Sequence, residues 1–230
     1  KGLRDDFTYD ALNRIKTVND ENRFSYDAQG NITWKRGVGS YTYGETCNNI
    51  IAGRHAVTSI GNKDYCYDLN GNLTSDDSRS FIYSTFDKPT EIVKGGHTTR
   101  FTYAPSRSRY KRLDINGSDT TKTYYLGSTE YIVKPNGQSI FRRTVPGAVI
   151  SVESNNQTIS YIHTDHLGST DVITDATGNV IQEVSFDEFG EKRLPNNWQA
   201  KDTAIKLSQL NITSKGYTGH EMAEEVGIIH

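Results

Sequence analysis

Apolar and polar residues alternate along this chain with a period of two, and turn residues interrupt the alternation at short, regular intervals. In Phe24-Ser-Tyr26 and Phe101-Thr-Tyr103 both rings project from one face of an extended segment and the small polar residue from the other. An aspartate, two variable residues and a glycine or asparagine follow in the best-formed units. Tyr26-Asp27-Ala-Gln-Gly30-Asn31-Ile32 and Tyr67-Asp68-Leu-Asn-Gly71-Asn72-Leu73 show this form, and Tyr9-Asp10-Ala-Leu-Asn13-Arg14-Ile15 has asparagine in the glycine place. The aspartate can accept backbone N–H bonds inside the turn, and the glycine supplies the positive φ at which the chain reverses. Each unit therefore predicts a strand, a tight turn and a return strand.

Tyr9, Tyr26 and Tyr43 lie 17 residues apart, and Tyr67 follows a longer loop. Phe86 and Tyr103 are again 17 apart, with Phe86-Asp87-Lys88-Pro89 and Phe101-Thr-Tyr103-Ala104 as degenerate copies. Asn116-Gly117 and Asn136-Gly137 mark further hairpins, the first between Arg109–Ile115 and Thr121–Leu126, the second between Tyr131–Lys134 and Gln138–Thr144. Strands are expected over Ala148–Val152, Gln157–His163, Ser169–Thr174 and Val180–Phe186. An insertion loop is expected at Pro195-Asn-Asn-Trp198 and one short helix over Asp202–Leu210. A lone hairpin cannot bury its aromatic face, so the fold class is all-β, with consecutive antiparallel hairpins forming a long curved sheet. The expected organisation is a hairpin array over residues 1–110 that continues in the same sheet over 111–230. The chain begins and ends in mid-pattern and reads as a piece of a longer one.

Composition supports thin sheets rather than a thick core. Only 34% of the 230 residues are hydrophobic, whereas there are 14 Tyr and 20 Gly, and the mean hydropathy is −0.67. Tyrosine can bury its ring while its hydroxyl stays wet, so a sheet of this kind needs few aliphatic residues. Acidic residues number 28 against 26 basic ones, with the signs interspersed, which gives no reason to expect a nucleic-acid partner. No apolar run approaches the ~20 residues of a membrane helix, and Lys1-Gly-Leu-Arg-Asp-Asp6 has no signal-peptide core. Cys47 and Cys66 have neither a CxxC spacing nor a companion histidine, which argues against zinc. Two buried thiols are the expectation, with a disulfide as the alternative.

Few residues suggest chemistry. His163, Asp165 and His166 could bind a metal or act as acid and base only if a turn brought them together, because His166 points away from the other two on a strand. Strand-end hydrogen bonding is the plainer reading. His220-Glu221 is followed by Met222, Ala223 and Glu224 rather than by a second histidine, and reads as a solvated polar turn. Arg107, Arg109, Lys111 and Arg112 read as alternating exposed strand positions. Ser169 lacks a nucleophile elbow and reads as a turn residue, and no glycine pair sits where a phosphate loop would require it. Neither a catalytic residue nor a cofactor is assigned.

The pattern resembles the Rhs and YD-repeat family, which includes the cocoon-forming component of insecticidal toxin complexes and the shell of animal teneurins. The repeats carry part of the likeness. The segments His163-Thr-Asp165-His166-Leu167-Gly168-Ser169-Thr170, Thr174-Asp175-Ala-Thr-Gly178-Asn179-Val180 and Phe186-Asp187-Glu-Phe189-Gly190-Glu191 carry more, since they look like the Rhs-associated core signature. Gly216-Tyr217-Thr218-Gly219-His220-Glu221 with Glu225-Val226-Gly227-Ile228 matches the next block. The likeness weakens over 44–62 and 195–213. It implies a secreted or cell-surface hollow β-shell enclosing a variable C-terminal toxin domain, closed by further repeats and a self-cleavage segment that lie beyond these residues. Partners would be the enclosed toxin polypeptide, the remaining shell segments, and a second copy paired through exposed sheet edges.

Three functions are thereby set against each other. The first is a structural shell fragment that encapsulates and helps deliver a toxin domain. The second is an adhesion module that binds carbohydrate or protein through an exposed aromatic patch around Trp34 or Trp198. The third is a hydrolase built on the His163 cluster.

Overall fold

The computed structural model describes residues 3–201 and 212–229. The helix expected over Asp202–Leu210 lies outside the described residues. The chain forms two compact units, Gly2–Gly95 and Gly96–His230. Among the described residues both are built from short antiparallel strands, and the only helical element is a single 3₁₀ turn, Tyr217–Gly219.

The aspartate turn recurs with one geometry. The N–H of Asp27 donates to the carbonyl of Asn31 at 2.9 Å, and that of Gly30 donates back to the carbonyl of Asp27 at 3.1 Å. The carboxylate of Asp27 accepts from the N–H of Asn31 at 2.8 Å. Asp10, Asp68, Asp165, Asp175 and Asp187 repeat this arrangement, each accepting the N–H groups two and four residues on. Gly30 has φ 92°, and Asn13 in the corresponding place has φ 59°, so this position needs glycine or an asparagine that tolerates the left-handed region. Each turn also inserts one extra residue into its return strand. Ser25 faces Trp34, but Tyr26 faces Ile32; the same slip occurs at Tyr9, Tyr43, Tyr67, Tyr83 and Tyr103.

In the Gly2–Gly95 unit the repeat tyrosines tie one hairpin to the next. The hydroxyl of Tyr26 donates to the carbonyl of Ile15 at 2.9 Å, that of Tyr43 to Ile32 at 2.7 Å, and that of Tyr67 to Val57 at 2.8 Å. Each acceptor is the residue that faces the preceding repeat tyrosine across its ladder. Each of these three tyrosines thus bonds a backbone carbonyl at the bulge of the previous turn. Burial holds the Tyr43 hydroxyl above its ordinary pKa, which keeps it a donor. Tyr43→Phe is expected to remove about 1 kcal/mol of stability, seen as a lower urea midpoint with an unchanged slope.

The lapse in the pattern after Tyr43 is an excursion. Tyr43 pairs with Val57, and the intervening residues form a small hairpin of Thr46–Cys47 with Ile50–Ile51. Cys47 and Cys66 are disulfide-bonded, with Cα atoms 5.4 Å apart. This corrects the expectation of two buried thiols: both residues are only half-buried, and the excursion carries Cys47 back to the strand that holds Cys66.

In the Gly96–His230 unit nine strands pair in chain order, from His97–Tyr103 to Val180–Glu183. The strand expected over Val180–Phe186 breaks after Glu183. Ser185–Phe186 instead pairs with Lys192–Leu194, which in turn pairs with Asn197–Lys201. The loop expected at Pro195–Trp198 is therefore the tip of a hairpin, with Leu194 facing Asn197. One face of the nine-stranded sheet carries buried Thr99, Phe101, Arg112, Thr123, Ile132, Ile140 and Arg142. That mixture of apolar and polar side chains is the core of a wall, where a globule would have buried mainly aliphatic residues.

Candidate functional site

The most constrained constellation joins the polar face of this sheet to the segment Ile212–Ile228. Arg109, Arg112 and Tyr125 come from adjacent strands and meet on Glu221. Arg112 Nη1 donates to Glu221 Oε1 at 2.9 Å, the Tyr125 hydroxyl donates to the same oxygen at 2.8 Å, and Arg109 pairs with Oε2. Arg112 also reaches Asp114 through Nε at 2.9 Å, and the Arg109 guanidinium lies over the Tyr125 and Phe101 rings at 4.5 and 5.2 Å. The Glu221 side chain keeps 12% of its exposure and that of Arg112 keeps 8%. Such a pair is sustained only when all its hydrogen bonds are made.

The bulge after Tyr103 makes this convergence available. Thr102 faces Lys111 while Tyr103 faces Arg109, so Tyr110 is the extra residue. Arg109 and Arg112, an odd number of residues apart, consequently share a face. This corrects the reading of Arg109 and Arg112 as exposed alternating positions; Lys111 alone turns to the opposite face. It also corrects the solvated-turn reading of Glu221 and Glu224. Glu224 keeps 7% of its side-chain exposure and pairs with Lys192 at 2.5 Å.

Burial works against the charged form of Glu221, but the Arg109 and Arg112 guanidiniums and the Tyr125 hydroxyl outweigh it and hold the carboxyl below its ordinary value near 4.5. Burial and the Glu221 charge push the Tyr125 hydroxyl the other way, so it remains a donor. A second tie joins the same segment to the Thr170–Thr174 strand. Thr170 donates through its N–H to the Gly216 carbonyl at 3.1 Å and through its hydroxyl to the Lys215 carbonyl at 2.9 Å. Ser169 Oγ accepts the Thr218 N–H at 3.1 Å. A side chain at Gly216 would collide with Met222 and the Phe186 ring, which explains a glycine there. Beside the clasp lies a cavity of about 480 Å³ whose walls include Asp114, Glu130, Lys134, Arg142 and Glu225. Its charges are paired: Arg142 with Glu130 at 2.5 Å and Lys134 with Glu153 at 2.7 Å.

The residues singled out by sequence are distributed along the chain. Tyr9, Asp10, Tyr26, Asp27, Gly30, Tyr67, Asp68 and Gly71 form turns and inter-hairpin ties. Asp165 uses its carboxylate on the N–H groups of Leu167 and Ser169, with Gly168 at φ 83°. His163 meets Thr174 Oγ1 at 3.1 Å, while His166 is exposed within the turn. His163, Asp165 and His166 are therefore not brought onto one point, and among the described residues no group of three His, Cys, Asp or Glu is placed to hold a metal ion. Asp187, Phe189 and Gly190 form another copy of the turn, and the Tyr217 hydroxyl donates to the Glu188 carbonyl inside it at 3.0 Å. Trp34 and Trp198 are both half-buried, and Arg193 covers the Trp198 ring at 4.1 Å.

The turn carboxylates set an acid limit. Hydrogen bonds from Thr177 and Asn179 lower Asp175 to about 2, and Arg14 lowers Asp10 from its ordinary 3.8. Groups with a depressed folded pKa contribute stability above the unfolded value, and that contribution is lost as pH falls through the folded value. The melting temperature is therefore expected to hold from neutrality to about pH 4 and to drop between pH 4 and pH 2 in a thermal scan series.

Tyrosine-linked hairpins in the Gly2–Gly95 unit, and strands paired in chain order and backed by a clasped segment in the Gly96–His230 unit, are each the build of a repeat β-shell. The chain belongs to the teneurin YD-shell family, whose model matches residues 2–201. The Rhs and YD-repeat resemblance and the all-β hairpin architecture thus both hold. Among solved structures the chain is similar to TcdB2-TccC3-Cdc42, with a TM-score of 0.59, and to TcdB2-TccC3, with a TM-score of 0.54. Each is 13% identical over 98% of this chain, and the chain spans 16% of each of those chains. No curated protein matches its sequence.

Proposed function

We propose that the chain is a section of shell wall whose full-length protein encloses a C-terminal toxin polypeptide and helps deliver it outside the producing cell. The role is structural rather than catalytic. The observation that carries the reading is the strand order of the Gly96–His230 unit, in which each of nine strands pairs with its sequence neighbours. A chain laid down in this way extends a wall strand by strand. The disulfide supports an oxidising destination, because such bonds persist outside the cytosol and are rare within it. The remaining shell segments would be the immediate neighbours of this section.

The test is protease protection in the full-length gene product. A polypeptide following the shell is expected to resist digestion while the wall is folded, and to be cleaved once acid or denaturant opens it. Equal digestion rates in the two states would reject enclosure.

A further inference from the structure

The two faces of the sheet between His97 and Glu153 differ sharply in charge. Residues directly opposed across a ladder share a face, as do residues two apart along a strand. Asp114, Glu130 and Glu153 fall on the face that bears Arg112 and Arg142. The charged residues on the other face are Arg100, Lys111, Lys122 and Arg143, and no strand between His97 and Glu153 places a carboxylate there. Lys111 faces Tyr124, Tyr124 faces Tyr131, and Tyr131 faces Phe141, which gives a ridge of rings running across three strands. Ring centroids are 6.2 and 4.6 Å apart, and Phe141 is 50% exposed. Lys122 lies on one side of the ridge, two residues before Tyr124, and Arg143 on the other, two residues after Phe141.

We infer that this face is a docking surface for an acidic polypeptide segment that carries apolar side chains. Cations on both sides of an aromatic ridge match carboxylates flanking apolar residues, and the strands from His97 to Glu153 put no carboxylate on this face; Glu183 is the carboxylate farther along it, on the last strand of the sheet. Tyr131 lies between the Tyr124 and Phe141 rings, with centroids at 6.2 and 4.6 Å, so its neighbours compete with a nucleotide base for its faces, which argues against single-stranded nucleic acid. Tyr124 and Tyr131 are half-buried and cannot insert between lipids. This inference does not depend on enclosure of a toxin: it concerns one face of the wall, whatever lies against it.

The probe is a short fluorescent peptide of repeating Glu-Glu-Leu, titrated into the 230-residue chain. A Lys-Lys-Leu peptide, oligo-thymidylate and phosphatidylserine vesicles serve as alternatives. The acidic peptide is expected to bind best and to weaken as salt rises. The double reversal Lys122→Glu with Arg143→Glu, both at exposed positions, is expected to weaken it at least tenfold while circular dichroism and melting temperature stay unchanged. Should that variant lose its fold, Lys122→Gln with Arg143→Gln provides the same comparison with a smaller expected loss. Absence of acidic-peptide binding, binding unaffected by the substitutions, or tighter binding of oligo-thymidylate or vesicles would each overturn the assignment.

Discussion

Glu221→Gln is expected to cost about 3 kcal/mol and to release the segment Ile212–Ile228 from the sheet. The substitution preserves shape but removes the charge on which Arg109, Arg112 and Tyr125 converge. Arg112 retains Asp114, whereas Arg109 is left in a nearly closed site without its carboxylate. An uncompensated buried charge is far costlier than the net worth of the pair that satisfied it. Hydrogen exchange should localise the effect, with protection lost over Ser214–Met222 and at Thr170, whose N–H and hydroxyl bind the same segment. The inter-hairpin ties of the Gly2–Gly95 unit should remain protected. Acid should reproduce the release in the unaltered protein. Since the folded carboxyl titrates below its ordinary value, the clasp is fully stabilising above about pH 4.5 and weakens as pH falls through the lowered value. Exchange protection in the segment that survived intact in Glu221→Gln would remove the clasp from the account.

Reduction of the Cys47–Cys66 bond is expected to cost about 3 kcal/mol, the chain-entropy value for a bond closing 19 residues. The bond is anchored in the hairpin of Thr46–Cys47 with Ile50–Ile51, which has only two ladder pairs of its own. Without the bond this excursion should become the preferred site of proteolysis, while Tyr43 and Val57 keep their pairing. Cys47→Ser with Cys66→Ser should match the reduced protein in denaturant midpoint. A midpoint insensitive to both changes would mean that hairpin pairing alone fixes the excursion.

Much of the wall was legible in sequence because its determinants are local. Tyr26, Asp27 and Gly30 specify a turn through backbone bonds that span only four residues, and the same chemistry is repeated at Tyr67, Asp68 and Gly71. The clasp was not legible. Glu221 lies 96 to 112 residues from Tyr125, Arg112 and Arg109, and the only signal, buried arginines in an otherwise balanced chain, is invisible until burial is known. The period-two reading misplaced Arg109 in particular, because it cannot register the extra residue that the turn adds after Tyr103. Had the bulge been carried through from Tyr26, whose turn has the same form, Arg109 and Arg112 would have fallen on one face.

By itself the sequence determined the hairpin, its turn and its repetition, since each follows from the φ preference of glycine or asparagine, an aspartate acceptor and the alternation of a strand. The tertiary structure decided which residues are buried and paired. Glu221 becomes a structural anchor rather than a solvated carboxylate, and Cys47 finds Cys66, only when strands distant in the chain are brought together. Those outcomes depend on desolvation and on long-range approach, which local sequence does not encode.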